Sequence, residues 1–367
     1  MSAKPEPKDV IIVGGGFAGL TLALRLLERK QRVRVLCDES DLLGASKAAH
    51  GISTIKGILE SDDATFGLKL EGHRGFEAWL ASMEFLADVK RPQDVWQTGA
   101  TEKFRDLRHF QKEFGRIYRR DFIGAKRVVL RELCTDGLAS TLYPGDWWVD
   151  PAYVLSVLRK ALENLGGHIT DDLVVSAVCN HERFRVTGKK NVYCCDVLVL
   201  ASGVGTVHLA SHFGVTIPKL LGVAGHSFTS PQSHHNASEM QSIVVKGTLG
   251  FAGTKTHTHW GSSSEPSVEI TARSFTNFDS AKGARQIAFQ LWEELLPQIP
   301  EPPISATTPR WGVRVRTRDR RPVCGRLVIP VHPNAQLWIN TAYYKSGLIL
   351  GWLLANDLSE EMCRSWS

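Results

Sequence analysis

The residues with the clearest chemistry lie near the amino terminus, where Gly14-Gly15-Gly16-Phe17-Ala18-Gly19 satisfies G-x-G-x-x-G. The first glycine permits a tight turn, the second lets backbone approach a pyrophosphate, and the third lets a helix pack closely on a strand. Backbone amides and the positive end of the helix dipole then hold anionic phosphates. An acid about 20 residues further on would take the ribose hydroxyls; Asp38 and Glu39 stand there. Other groups carry less. His234-His235 and His257-x-His259 offer imidazoles, but no further ligands stand at workable spacing, so no metal is expected. Trp147 and Trp148 could stack on bases, although packing at a domain junction explains at least one of them. The basic residues Arg108, Lys112, Arg116, Arg119, Arg120, Lys126, Arg127 and Arg131 could grip RNA phosphates or form a solvated helix face.

The elements around the glycine loop suit its chemistry. Val10-Ile11-Ile12-Val13 is an apolar run that stops at the glycines, the pattern of a buried parallel strand. From Phe17 to Lys30 the apolar residues turn to helical spacing, with Leu20, Leu24 and Leu27 on one stripe. Val33-Arg34-Val35-Leu36 predicts the next strand and completes a strand–helix–strand unit. Asp150-Pro151 opens a second helix that carries Val154, Leu155, Leu158 and Leu162 and ends at Gly166-Gly167. Arg183 to Cys195 reads as a hairpin turning near Gly188-Lys189, Asp196 to Leu200 as another buried strand, and Gly347 to Leu354 as a last helix. A nicotinamide enzyme of this type would continue with alternating strands and helices. Here the sequence turns irregular after Leu36 and returns to a buried strand only near Asp196, a layout that suits a flavin dinucleotide lying extended through its domain.

Four separated segments resemble the D-amino-acid oxidase and glycine oxidase family. They are the glycine loop with Leu43-Gly44-Ala45-Ser46-Lys47-Ala48-Ala49-His50-Gly51; Tyr143 to Pro151; Val197 to Val204; and Trp311 to Gly325 followed by Tyr343 to Leu350. Leu36 to Glu39 and Leu43 to Ser46 are also similar to the flavin half of the bacterial enzyme that trims carboxymethylaminomethyl-uridine in tRNA. The resemblance implies an α/β fold with a Rossmann-type FAD-binding domain and a second, mixed-sheet substrate domain. It implies FAD contacts at Gly14, Gly16, Phe17, Ala18, Gly19, Asp38, Glu39, Ala45, Ser46, Ala49, His50, Gly51, Val175, Ala201, Ser202, Gly203, Ser346, Gly347 and Leu348. The family's usual acid falls at Cys37, so Asp38 or Glu39 would have to reach the ribose from further along. Related sarcosine oxidases attach the flavin through a cysteine; the matching position is Gly312, which implies noncovalent FAD. Arg314 matches the arginine that binds the substrate carboxylate, a task suited to a forked guanidinium. Lys345 stands where glycine oxidase has a basic residue near flavin and substrate, and His50, beside the flavin, is a candidate proton acceptor. First-turn amides at Gly347 and Leu348 would face the flavin's pyrimidine edge and steady charge that develops there.

Composition bounds these readings. The 367 residues exceed one ordinary core, and we expect a discontinuous FAD-binding unit at 1–88, 144–216 and 309–367 with a substrate unit at 89–143 and 217–308. A 43% hydrophobic and 22% charged composition is that of a globular protein. No apolar run reaches the ~20 residues of a membrane span, and the first eight residues lack a secretory pattern, so a cytoplasmic location without membrane attachment is expected. The seven cysteines form neither a disulfide framework nor a zinc pattern, and the adjacent Cys194 and Cys195 read as buried free thiols rather than a redox pair. The net charge of +6 permits an anionic partner without requiring one. Three functions fit: oxidation of the C–N bond of a small amino acid or N-substituted glycine, oxidative trimming of carboxymethylaminomethyl-uridine in tRNA, and a non-catalytic flavin-binding subunit, against which the intact Arg314 argues.

Overall fold

A computed structural model describes residues 6–40, 44–55, 58, 65–104, 129–131, 139–231, 243–246, 249–272, 283–296 and 301–366. The expected basic residues 108 to 127, His234-His235 and Leu43 lie outside them.

The first strand, Asp9–Val13, sits inside a six-stranded sheet ordered Val323–Ile329, His332–Thr341, Val197–Leu200, Asp9–Val13, Arg32–Cys37, His168–Asp171. It pairs in parallel with strands on both sides, Val13 opposite Leu36 and Leu200. Both faces of this sheet are covered, which explains why its central strands read as continuous apolar runs. Val10 and Ile12 point into one core with Val197 and Val199, while Ile11 and Val13 point into another with Leu198 and Leu200. The first core is closed by the helices Phe17–Glu28, Phe66–Ala87, Pro151–Asn164 and Gly347–Ser365. The second lies under a three-stranded antiparallel sheet, Val174–Asn180, Arg183–Gly188 and Val192–Cys195, and the short helix Thr206–Ser211.

The helix Pro151–Asn164 begins as its sequence dictates. The Asp150 carboxylate accepts from the Ala152 N–H at 3.0 Å, with proline at the first position. It ends at Leu165 before Gly166, whose φ is +82°. The last helix runs on to Ser365, well past the expected Leu354.

A ten-stranded sheet forms the other layer and is mixed: most pairs are antiparallel, whereas Ile243–Lys246 runs parallel to Trp96–Phe104. Its long neighbours are Trp96–Phe104 against Ala139–Val149, and Leu221–Pro231 against Thr308–Arg316. Helix Ala284–Leu295 covers one face, where Leu291 and Trp292 pack on Phe228, Phe251 and Trp260. Two segments expected in the FAD unit hydrogen-bond in this sheet: Ile52–Ser53 joins Trp147 and Trp148, and Thr308–Arg316 joins Leu221–Pro231. They connect the two layers. Trp147 and Trp148 are buried in the interior, the first stacked on Phe76 with ring centroids 4.5 Å apart, so neither presents a ring to bases. Among the described residues no helix is long and apolar enough to cross a membrane.

Candidate active site

The glycine loop has the close contacts its motif requires. Gly14 has φ +122°, and a Cβ there would overlap the Ala201 carbonyl oxygen; a Cβ on Gly19 would overlap the carbonyl oxygen of Gly14. The Gly14 N–H donates to Leu36 O at 2.8 Å, which fixes the turn at the ends of two parallel strands. A Cβ on Gly16 would come within 2.8 Å of the Ser46 hydroxyl, which accepts the Phe17 N–H at 3.1 Å. This bare backbone at a helix N-terminus is a cradle for a pyrophosphate, and it fits an FAD.

The positions expected to meet the ribose have settled differently. Asp38 turns into its own loop, accepting from the Ser40 N–H at 3.0 Å and from the Ser40 hydroxyl. Glu39 meets Arg159 at 2.5 Å, and Lys47 donates to the Glu39 carbonyl at 2.7 Å. Burial works to raise the Glu39 carboxyl, but the Arg159 guanidinium outweighs it and holds the group below its ordinary range. Burial, aided by Glu39, pushes the Cys37 thiol up to about 11, so the place of the family's acid holds a neutral thiol. Arg159 was not anticipated. It belongs to the Pro151–Asn164 helix, whose sequence shows only caps and an apolar face, and nothing local marks its approach to Gly15.

At the far side of the second core, Val175 is the extra residue of a β-bulge: Val174 pairs with Gly188 and Ser176 with Thr187. Its backbone is therefore outside that ladder, and its carbonyl lies 3.3 Å from His208 Nε2. Ala201, Ser202 and Gly203 follow the strand Val197–Leu200 directly, with Gly203 at φ +56° and Ser202 Oγ 3.3 Å from Thr206 Oγ1.

Two helix N-termini meet near the expected ring position. Thr21 Oγ donates to Phe17 O at 2.6 Å and lies 3.1 Å from Gly351 O, tying the first helix to the last. A Cβ on Gly347 would sit 4.0 Å from Phe17 Cδ2. Ser346 caps the last helix without a side-chain bond, so the Gly347 and Leu348 amides remain as donors. The small-residue segment packs against the large sheet: Gly44 bridges Val313, Ser227 Oγ donates to Ala48 O at 2.9 Å, and Ala49 packs on the first core. A Cβ on Gly312 would lie 2.9 Å from both Ala48 Cβ and Gly44 O, next to Ala45. Gly51 has φ +89°, and a Cβ there would overlap the Val149 carbonyl.

Arg314 lies two residues beyond Gly312 on the same face of its strand. Its Nη2 donates to Ala224 O at 3.2 Å, to Ser263 O at 2.5 Å and to Ser264 Oγ at 3.2 Å, and Nε is 3.5 Å from Val223 O. Gly225 makes room: a Cβ there would overlap Nη2. Burial lowers the Arg314 pKa, opposed by Tyr344 and Glu265; the group stays charged. These neutral acceptors orient the guanidinium and leave Nη1 uncommitted among the described residues. Lys345 is exposed, with Nζ 5.7 Å from the Tyr344 ring centre.

His50 is held by Trp148, whose Nε1 donates to the His50 carbonyl at 2.9 Å. Burial first, then the charge of Arg310, pushes the His50 pKa down to about 3. His259, which the sequence offered only as a weak metal candidate, lies nearby. Its Nδ1 sits 3.1 Å from Thr229 Oγ1 and 3.3 Å from Arg310 Nη2, and its ring lies 4.7 Å from Trp148. Burial, then Arg310, lowers its pKa to about 2. Arg310 reaches Asp150 at 3.7 Å and so ties the large sheet to the cap of the Pro151–Asn164 helix. Among the described residues no group of three or more His, Cys, Asp or Glu could hold a metal.

Known proteins share this architecture. The iminodiacetate oxidase of Chelativorans sp. BNC1 superposes with a TM-score of 0.76 at 20% identity, covering 95% of this chain and 94% of that one. The glycine oxidase of Geobacillus kaustophilus gives 0.74 at 19% identity, covering 98% and 95%. In sequence, the chain is 25% identical over 334 residues to the tRNA 5-methylaminomethyl-2-thiouridine biosynthesis bifunctional protein MnmC of Shewanella amazonensis, covering 87% of this chain and 48% of that protein. It is 23% identical over 205 residues to the bifunctional protein ThiO/ThiG of Synechocystis, covering 53% and 30%. The chain thus spans about half or less of the curated relatives it matches. Residues 9–361 match the model of the DAO family, FAD dependent oxidoreductase, and the chain belongs to that family.

Proposed function

We propose that this chain oxidises the C–N bond of a small amino acid or N-substituted glycine, with FAD held noncovalently. The observation that carries the reading is Arg314: a half-buried cation oriented by backbone carbonyls, on the strand face that carries Gly312 against the small-residue segment. Nη1 is the part of its fork left for a carboxylate. The contact is therefore end-on through one nitrogen, rather than the two-nitrogen grip first expected. Bound FAD supplies a two-electron acceptor for the hydride on the carbon that bears nitrogen.

The residues of the chain orient and exclude. The glycine cradle and the Val175 bulge fit the pyrophosphate and adenine ends, and the Gly347 and Leu348 amides offer donors where the ring gains charge. Crowding at Gly312 leaves no room for a linking side chain, which supports noncovalent attachment. His50 and His259 are uncharged at neutral pH and very weak bases, so the amine enters unprotonated and neither imidazole takes its proton. The product imine would hydrolyse to an oxo acid or aldehyde and an amine.

Anaerobic mixing of the yellow protein with glycine, sarcosine, iminodiacetate and D-amino acids tests the proposal, since at least one of them should bleach the flavin. A second reading is the same bond cleavage on carboxymethylaminomethyl-uridine in tRNA. It is favoured by the match to the Shewanella tRNA-modification protein over 87% of this chain. The division into units at 1–88, 144–216 and 309–367 against 89–143 and 217–308 is retained as a proposal, with Ile52–Ser53 and Thr308–Arg316 as strands that cross between them.

A further inference from the structure

Beside Arg314, three more cations gather on one aromatic ring. Arg316 and Arg320 place their guanidinium carbons 5.8 Å from the Tyr344 ring centre, and Lys345 Nζ lies at 5.7 Å. No two of these charges can therefore be more than about 12 Å apart. Tyr344 is fixed by a left-handed backbone, φ +52°, and by its N–H bond to Val315 O at 2.9 Å. Arg320 is fixed as well, at φ +62° in a turn closed by Thr317 Oγ1 donating to Arg321 O at 2.8 Å.

The surroundings of the two arginines do little to neutralise them. Arg316 donates to the Thr317 carbonyl at 3.4 Å and to Ser267 Oγ at 3.2 Å, both uncharged acceptors. The Arg320 guanidinium meets no acceptor or carboxylate among the described residues. Asp319, the one acid between residues 310 and 326, is turned to Arg321 at 3.5 Å. Glu265 faces Arg314. A neutral ring attracts one exposed cation weakly, and three like charges around it repel one another. Binding an anion would relieve that repulsion, and Tyr344, which also acts electrostatically on Arg314, sets the cluster beside the proposed carboxylate anchor.

We propose that the substrate carries a second anionic group, and that Arg316, Arg320 and Lys345, gathered on Tyr344, receive it while Arg314 holds the first carboxylate. The substrate class is then a small amine with two anions, such as an N-carboxyalkyl amino acid, rather than a simple amino acid. This rests on the amine-oxidation reading for the reacting bond, but the binding claim can be tested apart from it.

Thiodiacetate and (methylthio)acetate differ by one carboxylate, and sulfur replaces the oxidisable nitrogen in both. Their affinities for the FAD-loaded protein, measured by calorimetry, should differ at least tenfold in favour of thiodiacetate, with the gap narrowing as salt rises. Arg320→Gln alone should shrink the preference, and Arg316→Gln with Arg320→Gln should bring the two affinities within twofold. Equal affinity in the native protein, binding of neither analogue at millimolar concentration, or a preference that survives the double substitution would overturn the proposal. So would capture of an RNA oligonucleotide through Arg316 and Arg320 without any thiodiacetate preference, which would assign the cluster to nucleic-acid phosphates. If the preference holds but neither iminodiacetate nor sarcosine bleaches the flavin, the amine-oxidation reading fails and the two-anion site stands.

Discussion

At the scale of single residues, the site separates groups that hold charge from groups that are kept neutral. Arg314→Leu removes the proposed carboxylate anchor and should raise apparent KM steeply, on the order of 2–5 kcal/mol in kcat/KM. FAD content, read from the visible spectrum, should stay near normal; unchanged kinetics with every active carboxylate-bearing substrate would reject the assignment. The histidines lead to a stability prediction. His50, His73 and His259 have folded pKa values of about 3, 4 and 2, each depressed first by burial from an ordinary value of 6.5. Below pH 6.5 the unfolded chain takes up protons that the native fold refuses. Stability is therefore full above that pH and falls as pH drops toward the folded values, by up to about 1.4 kcal/mol per unit for each histidine. His259→Gln should flatten the slope of urea-unfolding free energy between pH 6 and pH 4; an unaltered slope would contradict its neutral burial. Of these residues the sequence showed Arg314 and His50 by family position. It could not show Arg159 or the contact of His259 with Arg310, because both arise from segments distant in the chain.

At the scale of elements, legibility followed burial. Strands covered on both faces and the helix capped by Asp150 and Pro151 could be read directly, since continuous apolar runs and caps are local signals. The helix Phe66–Ala87 escaped notice although it spans 22 residues. Its buried face includes Lys69, Gly72, His73 and Glu84, which interrupts the apolar period. Glu84 is satisfied there by Arg91 at 2.7 Å and the Tyr153 hydroxyl at 2.7 Å, partners invisible from local pattern. The strands of the large sheet near Trp96–Phe104 and Ala139–Val149 also looked irregular, because their pairing is long-range. The glycine loop gives the sharpest test at this scale. Gly19→Val would force a side chain into the Gly14 carbonyl and part the first helix from its strand. The purified variant should lack the flavin absorption band; a variant as yellow as the native protein would contradict the packing role of Gly19.

At the scale of the whole molecule, the six-stranded layer brings together the glycine cradle and the two convergent helix ends, while the ten-stranded layer brings Arg314, through Gly312 and the small-residue segment, to the same junction. The family could be read from order and spacing of four segments across the chain. The substrate could not, because breaking the same bond in a free amine and in a tRNA base requires the same anchor beside the flavin. Crowding at Gly312 predicts that acid precipitation releases FAD into the supernatant, and flavin retained in the pellet would contradict noncovalent attachment. The most direct test of the central claim is anaerobic stopped-flow measurement of flavin bleaching. Glycine, sarcosine, D-amino acids, iminodiacetate and tRNA carrying carboxymethylaminomethyl-uridine would be compared in one buffer. The account predicts that a small amine reduces the flavin, with kcat/KM rising as the amine loses its proton and no inflection from His50 or His259 between pH 5 and 8. Reduction by the modified tRNA with none by any small amine would contradict it.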